Sequence, residues 1–473
     1  MNTSRLPLDL WFEVIPYFHA DVHTLRSLSL TCLFLRNMSI PYLFRSLGFP
    51  FPSSLRRAFH LLHSTYIHSY VESMNLSKRP PRPGSMKLRS PLQVIILALL
   101  KMKHLQRFAL DFPCPTELYE YIRDSKMLKQ LTWADLAKTS MTVRPQCQLE
   151  VIEFSDMGRE CHVPAGLITE SAPTLKSLSI YSSWYISIFW ASVQTNPFSH
   201  LTSFTFSSMD EYVAPHALRG ILESCPSIIT LQLPTRLRFD VLLSPSALPK
   251  LNTLDAGPNK FVLSFLEGRP VRRLFASSLY RFSRPRVRQY LQNGSFSLLH
   301  VKIEYSYAEE FFRDMNRTLI YCEDLALDVR IGSCTVCHFI TSTISMSHLT
   351  LVQPVAVTTL ITWLTAPSLV DLSLTIRMKG KDYLEEMQVS SMVELQRHFE
   401  IQLRDACRGS PNLRQLTVVY CLSTQTERSF HARRLSEREW AVRSPLGRYT
   451  SMSRYHADIV EAEPAETEEG HGW

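Results

Sequence analysis

The chain has 473 residues, 45% of them hydrophobic and 20% charged, with a formal charge of +8. That composition supports a sizeable core and excludes wholesale disorder. Only 14 residues are glycine, well below the typical ~7%, and no G-x-G-x-x-G, G-x-x-x-x-G-K-[ST] or G-x-S-x-G motif occurs, so nucleotide cradles and nucleophile elbows are excluded.

In chain order, the first elements are helical. Leu6, Leu10, Val14 and Phe18 recur every four residues and predict one helical stripe. Asp21 is placed to cap a second helix carrying Val22, Leu25 and Leu28. Thr31 is placed to cap a third, with Leu35 and Met38, which Pro41 is expected to end. Three short helices cannot bury all these apolar side chains among themselves, so another domain or a partner must cover some. The segment 78–91 then reads KRPPRPGSMKLRSP, an exposed basic loop because its prolines forbid regular structure.

A short pattern, apolar-x-x-apolar-x-apolar, recurs through the rest of the chain. Copies begin at Val71, Leu105, Leu128, Leu149, Leu175, Leu201, Ile228, Leu251, Val271, Leu298, Cys322, Met346, Leu369 and Leu413. Apart from the first and last gaps, the spacings fall near the 20–29 residues of a leucine-rich repeat. The fourth and sixth residues of each copy alternate as in a half-buried strand. Proline precedes many copies (Pro173, Pro226, Pro249, Pro270, Pro367, Pro411) and stops the preceding helix. Stretches at helical spacing lie between strands, such as PHALRGILESC from Pro215 and PRVRQYLQNGS from Pro285. The expected fold is α/β, a short all-α N-terminal segment followed by an irregular leucine-rich-repeat-like solenoid of parallel strands backed by helices. An inserted amphipathic helix is predicted over about 384–407, where Met392, Leu395, Phe399 and Leu403 share a face. Residues 428–454 hold seven arginines against two glutamates, and Asp458 to Glu469 hold six acids and no base, so 423–473 is predicted to be a disordered charged tail.

The opening runs LPLDLWFEVIPYF, DVHTLRSLSLTCLFLR and PYLF resemble an F-box, in the form common among fungal F-box proteins with leucine-rich-repeat-like bodies. The match covers residues 6–47, and the body resembles the family only through its repeats. The implied domains are an F-box over 1–48, the solenoid over 49–422 and the tail. The resemblance implies a substrate receptor of an SCF-type ubiquitin ligase. Its F-box would dock on the Skp-family adaptor through Leu6, Pro7, Leu10, Ile15, Leu28 and Leu35, and through the adaptor reach the cullin and RING subunits. The alternative reading is a stand-alone protein-interaction scaffold.

Positions +2, +4 and +6 of each copy face away from the core side of the strands and are the expected surface for an unknown target protein. Candidates there are Arg107, Asp111, Glu153, Tyr181, Arg273, Lys302, Glu304, Asp324, Asp328 and Asp371. They form no convergent catalytic set, and no enzymatic activity is expected of the chain itself. Cys334-x-x-Cys337-His338 matches the haem-attachment string, but no targeting segment supports an exported setting, and zinc would need a second ligand pair. No cofactor or metal is expected. Neither basic stretch carries a nucleic-acid reader module. The opening residues contain no signal-like apolar run, so the expected location is cytoplasmic, nuclear or both, without membrane association.

Overall fold

The computed structural model describes residues 8–19, 21–51, 63, 66–78, 97–114, 116–136, 147–154, 165–181, 183–207, 214–233, 237, 240–257, 262–276, 289, 294–304, 319, 321–331, 368–378, 399–401, 403, 406–408, 410–421, 427–436, 439–443 and 449–453. The fold is mixed α/β. Two compact units divide the chain, Met1–Thr230 with Ser246–Leu248, and Leu231–Pro245 with Pro249–Trp473.

The first unit opens with α1 (Leu8–Val14), running into a 3₁₀ turn (Ile15–Phe18), then α2 (Val22–Ser29) and α3 (Leu33–Leu43). Asp21 caps α2 as expected, its carboxylate accepting from the Thr24 amide at 3.0 Å and the Thr24 hydroxyl at 2.7 Å. Thr31 does not cap α3. Its hydroxyl donates back to the Leu28 carbonyl at 2.7 Å, and Cys32 takes the cap position without a side-chain bond. Pro41 lies inside α3, which ends two residues later. Its missing N–H forfeits a single bond in the last turn. Of the expected first stripe, Phe18 packs on the helical core and Leu10 does not. Ile15, Leu25 and Leu35 form the core, with Trp11, Phe18, Leu28, Phe34 and Met38 packed against it, while Leu10 stays exposed.

After the helices come β1 (Ser46–Phe51), β2 (Ser73–Lys78), β3 (Arg107–Cys114), β4 (Gln130–Leu136), β5 (Val151–Phe154), β6 (Ser177–Ile180) and β7 (Ser203–Phe206). Each is parallel to the next, and their register puts Ser46, Ser73, Arg107, Gln130, Val151, Ser177 and Ser203 in one row. Those residues stand at position +2 of successive copies of the sequence pattern, so one backbone geometry repeats in phase. Position +1 repeats it as well. The Glu150 carbonyl accepts from the amides of Lys176 and Ser177, and the Lys176 carbonyl accepts from those of Thr202 and Ser203. β1 runs across the expected boundary at residue 48. It is a further copy, FRSLGF from Phe44, 27 residues before Val71, concealed because its first apolar residues also close α3.

Between these strands lie α4 (Thr116–Asp124), α5 (Ala165–Ser171), α6 (Ser183–Thr195) and α7 (Pro215–Ser224), the last starting on its proline as expected. Their apolar faces close the core with strand residues +3 and +5. Phe189 of α6 meets Phe204 of β7 and Phe198, with ring centroids 5.6 and 5.0 Å apart. Gly220 of α7 lies against the Trp190 ring, and a Cβ built there would stand 2.3 Å from it. Gly220→Val is therefore expected to cost about 1–3 kcal/mol through overpacking, read as a lowered thermal midpoint. An unchanged midpoint would show that the α6–α7 contact is looser than this geometry.

The second unit contains β9 (Thr253–Gly257), β10 (Arg273–Ala276), β11 (Leu298–Glu304), β12 (Asp324–Ile331), β13 (Asp371–Met378) and β14 (Gln415–Cys421), again parallel in sequence order, with α8 (Leu263–Leu266) between β9 and β10. β8 (Thr230–Gln232) spans the division between the units. Arg269, just after α8, is buried and donates to the carbonyls of Ser264, Glu267 and Ser244 at 2.8–3.0 Å, tying the turn to the preceding segment. The copy expected from Leu298 begins instead at Phe296. Phe296, Leu299 and Val301 are the buried residues, and Leu298 aligns with Arg273. The two-residue shift leaves the same side chains on each face. β12 pairs directly with β13 from Asp324↔Asp371 to Ile331↔Met378. The copy expected at Met346, residues 346–351, lies outside the described residues.

The disordered tail is also corrected. β15 (Glu427–Ser436), β16 (Glu439–Arg443) and β17 (Tyr449–Ser453) continue the sheet antiparallel from β14. Phe430, Ala432, Trp440 and Val442 alternate inward and are buried, and their apolar surface outweighs the surrounding arginines. Residues 454–473 lie outside the described residues, as do 79–91 of the basic loop. Of the predicted 384–407 helix, 399–401, 403 and 406–408 are helical, with Phe399, Leu403 and Ala406 buried.

Candidate functional site

Two surfaces carry the residues singled out from the sequence. The first is the N-terminal helical segment. Its small core leaves a large part of its apolar surface uncovered: Phe12 is 60% exposed, Leu30 79%, Leu33 72% and Leu10 41%, with Tyr17 and Val22 exposed as well. Phe12, Pro16, Phe34, Met38, Pro41 and Tyr42 line a groove of about 470 Å³ between the first turns and α3, with Asn37 on its wall. Phe12 and Phe34 meet edge to face in it at 5.9 Å. Exposed apolar side chains beside an apolar groove make this segment a candidate interaction surface.

Of the expected docking residues, Leu10 is exposed and Leu28 is half-buried against the core. Ile15 and Leu35 sit deeper than Leu10 and Leu28. Both are buried in the helical core, with Ile15 at the floor of the groove. Leu6 and Pro7 lie outside the described residues. Sequence reasoning missed Phe12, Pro16, Phe34 and Tyr42. The available signal was the run LWFEVIPYF, in which apolar residues occupy more of the helix circumference than one buried face can take.

The second surface is the polar face of the strands. In the first unit, Glu153 of β5 accepts from the Thr132 hydroxyl at 3.3 Å and the Tyr181 hydroxyl at 3.5 Å. Burial, with Glu153 adding to it, pushes the Tyr181 phenol up. Beside this face the +1 positions form charged pairs: Arg45 to Glu72 at 2.8 Å, Lys129 to Glu150 at 3.5 Å and Lys176 to Glu150 at 2.7 Å. The hydrogen bond from Lys176 holds the Glu150 carboxyl below its usual range. Arg107 is exposed on β3, and Asp111 lies further along that strand.

In the second unit, Arg273 is exposed on β10. Lys302 and Glu304 lie on β11 and Asp328 on β12. Asp324 and Asp371 are partners across β12 and β13. Burial, then the bond and charge of Asp324, push the Asp371 carboxyl up, with Arg414 opposing. An Asp held up in the folded state gains a relative advantage on protonation, so its penalty is present at neutral pH and disappears as pH falls below the unfolded value of 3.8. Asp371→Asn is thus expected to stabilise the chain slightly at pH 7, by no more than about 0.5 kcal/mol at so exposed a site. Chemical denaturation at pH 7 and pH 3 checks it, and a gain as large at pH 3 would refute the cause. Thr417 and His431 are bonded at 3.1 Å across β14 and β15, and burial, aided by Arg443, lowers the His431 imidazole.

The structure brings Glu153 together with Tyr181, and Asp324 with Asp371, and leaves Arg107 and Arg273 in separate positions on their strands. Three of the described cysteines are buried and poor nucleophiles. Burial pushes the thiols of Cys147 to about 11 and of Cys225 and Cys322 to about 12. Cys334, Cys337 and His338 lie outside the described residues. Among the described residues no group of His, Cys, Asp and Glu is arranged to hold a metal ion, and no helix is long and apolar enough to cross a membrane. No protein-family model matches the chain, and no curated protein is similar to it.

Proposed function

We propose that the chain is the substrate-recognition subunit of an SCF-type ubiquitin ligase, its N-terminal helices acting as an F-box that docks on the Skp-family adaptor. The observation that carries this reading is the uncovered apolar surface of that segment, with Leu10 and Phe12 exposed beside a groove lined by Pro16, Phe34, Met38 and Tyr42. The repeating strands, in phase at every +2 position, support an irregular leucine-rich-repeat-like solenoid, whose polar face would hold the target protein. Glu153 with Tyr181, and Asp371 with Asp324, are the contacts with the target that this reading favours.

The chain's part in such a complex is to place a bound target beside the transferring subunits, reached through the adaptor and the cullin and RING subunits, and to do no chemistry itself. Holding the two reactants together converts an encounter into an intramolecular step. Co-expression with the Skp-family adaptor tests the docking. Wild type is expected to co-purify with the adaptor in a stable complex, and Leu10→Asp to lose it while keeping its circular dichroism spectrum. Equal recovery of adaptor with both chains would overturn the proposal and leave a stand-alone scaffold.

A further inference from the structure

In the second unit a cavity of about 670 Å³ opens where the first residues of β13 and β14 meet the last residues of β15. Arg414, Arg433 and Arg434 line it, with Asn412 and Gln415, and Asp371 is the only carboxylate among its described lining residues. The Arg434 amide donates to the Arg414 carbonyl at 2.8 Å, so these two residues stand across β14 and β15, and Arg433 is the partner of Gln415 in the next position. Like charges facing each other weaken a strand pair. Three arginines among the residues lining one open cavity suit an anion with several oxygens, which a guanidinium fork binds in paired hydrogen bonds. Arg434 is already held in place, its Nη1 donating to the Pro411 carbonyl at 2.8 Å.

The strand order brings the end of the last described strand to the same end of the sheet as the cavity. β16 starts with Glu439 beside Ser436 of β15, and β17 ends with Ser453 beside Glu439. Ser453 is thus two strands from β15, roughly 10 Å, at the same end of the sheet as Arg433 and Arg434. Asp458 follows five residues later, and five residues reach roughly 17 Å when extended. From Asp458 to Glu469 the sequence holds six acids and no base.

We propose that the arginine cavity binds this acidic segment of the same chain, which then competes with any acidic segment of a partner for the site. Tethering raises the segment's local concentration to about the millimolar range, so weak carboxylate–guanidinium contacts suffice for occupancy at low salt.

The test uses the full chain and a fluorescently labelled synthetic peptide of residues 456–470. In one variant the six acids become amides (Asp458→Asn, Glu461→Gln, Glu463→Gln, Glu466→Gln, Glu468→Gln, Glu469→Gln). The peptide is expected to bind this variant at least tenfold more tightly than wild type, whose own segment competes. Adding Arg433→Gln or Arg414→Gln to the amide variant is expected to weaken binding at least tenfold. Arg433→Lys, which keeps the charge but not the fork, should give an intermediate loss, and a matching thermal midpoint shows that folding is intact. Equal peptide affinity for wild type and the amide variant would overturn the proposal, as would affinity insensitive to both arginine replacements. Binding of inorganic phosphate, with no peptide binding to the amide variant, would also overturn it and assign the cavity to an external anion.

Discussion

Phe204→Ala is expected to cost the first unit about 3–5 kcal/mol, whereas Ser203→Ala, one residue earlier on the same strand, should stay within about 0.5 kcal/mol. Phe204 is fully buried at position +3 of its copy and meets the ring of Phe189, so truncation removes transfer energy and leaves a cavity against a helix that cannot collapse into it. Ser203 points to the polar face, half-exposed, where removal of a hydroxyl leaves no void. Thermal and denaturant midpoints of the two variants decide the matter. Similar losses from both would mean that the strand does not have one buried and one polar side.

A second large effect is expected at the N-terminal segment. Phe12→Asp should weaken adaptor binding by at least a hundredfold without unfolding the helices, because Phe12 is 60% exposed and its ring walls the groove beside Phe34. Full burial of such a ring against a partner stabilises a complex by about 1.5–3 kcal/mol, and a carboxylate placed in an apolar contact adds an uncompensated desolvation cost. Ile15→Asp should also abolish binding, but by a different route. Ile15 is buried in the three-helix core, so that variant loses helical signal and docking together. Calorimetric titration with the Skp-family adaptor, alongside circular dichroism, separates the two. If Phe12→Asp bound normally while Ile15→Asp did not, the docking surface would lie elsewhere on the helices.

The sequence was most legible where one constraint acted alone. Leu175, Leu178 and Ile180, and the corresponding residues of most copies, are buried because parallel strands in phase leave each of those positions a single inward direction. Where two apolar residues were adjacent, as at Leu298 and Leu299, the pattern fitted two registers, and pairing with β10 chose between them. FRSLGF went unread because it shares Phe44 with the end of a helix, and β15 to β17 because their arginines masked a period-two alternation of Phe430, Ala432, Trp440 and Val442. On the helical segment, periodicity marked which residues are apolar but not which of the two apolar sides faces inward. That choice depends on how α1 and α3 pack, and it moved Ile15 and Leu35 into the core while leaving Phe12 and Leu33 outside. The neighbours Arg414 and Arg434 are 20 residues apart in sequence and meet only because β15 reverses direction.

Hydrogen exchange of the full chain with and without the Skp-family adaptor tests the central claim most directly. The account predicts that adaptor slows exchange in peptides covering residues 8–44, most strongly around Phe12 and Phe34, and leaves those covering β5 to β7 and β12 to β14 unchanged. Protection in the strand peptides with none in 8–44, or no protection at saturating adaptor, would contradict it.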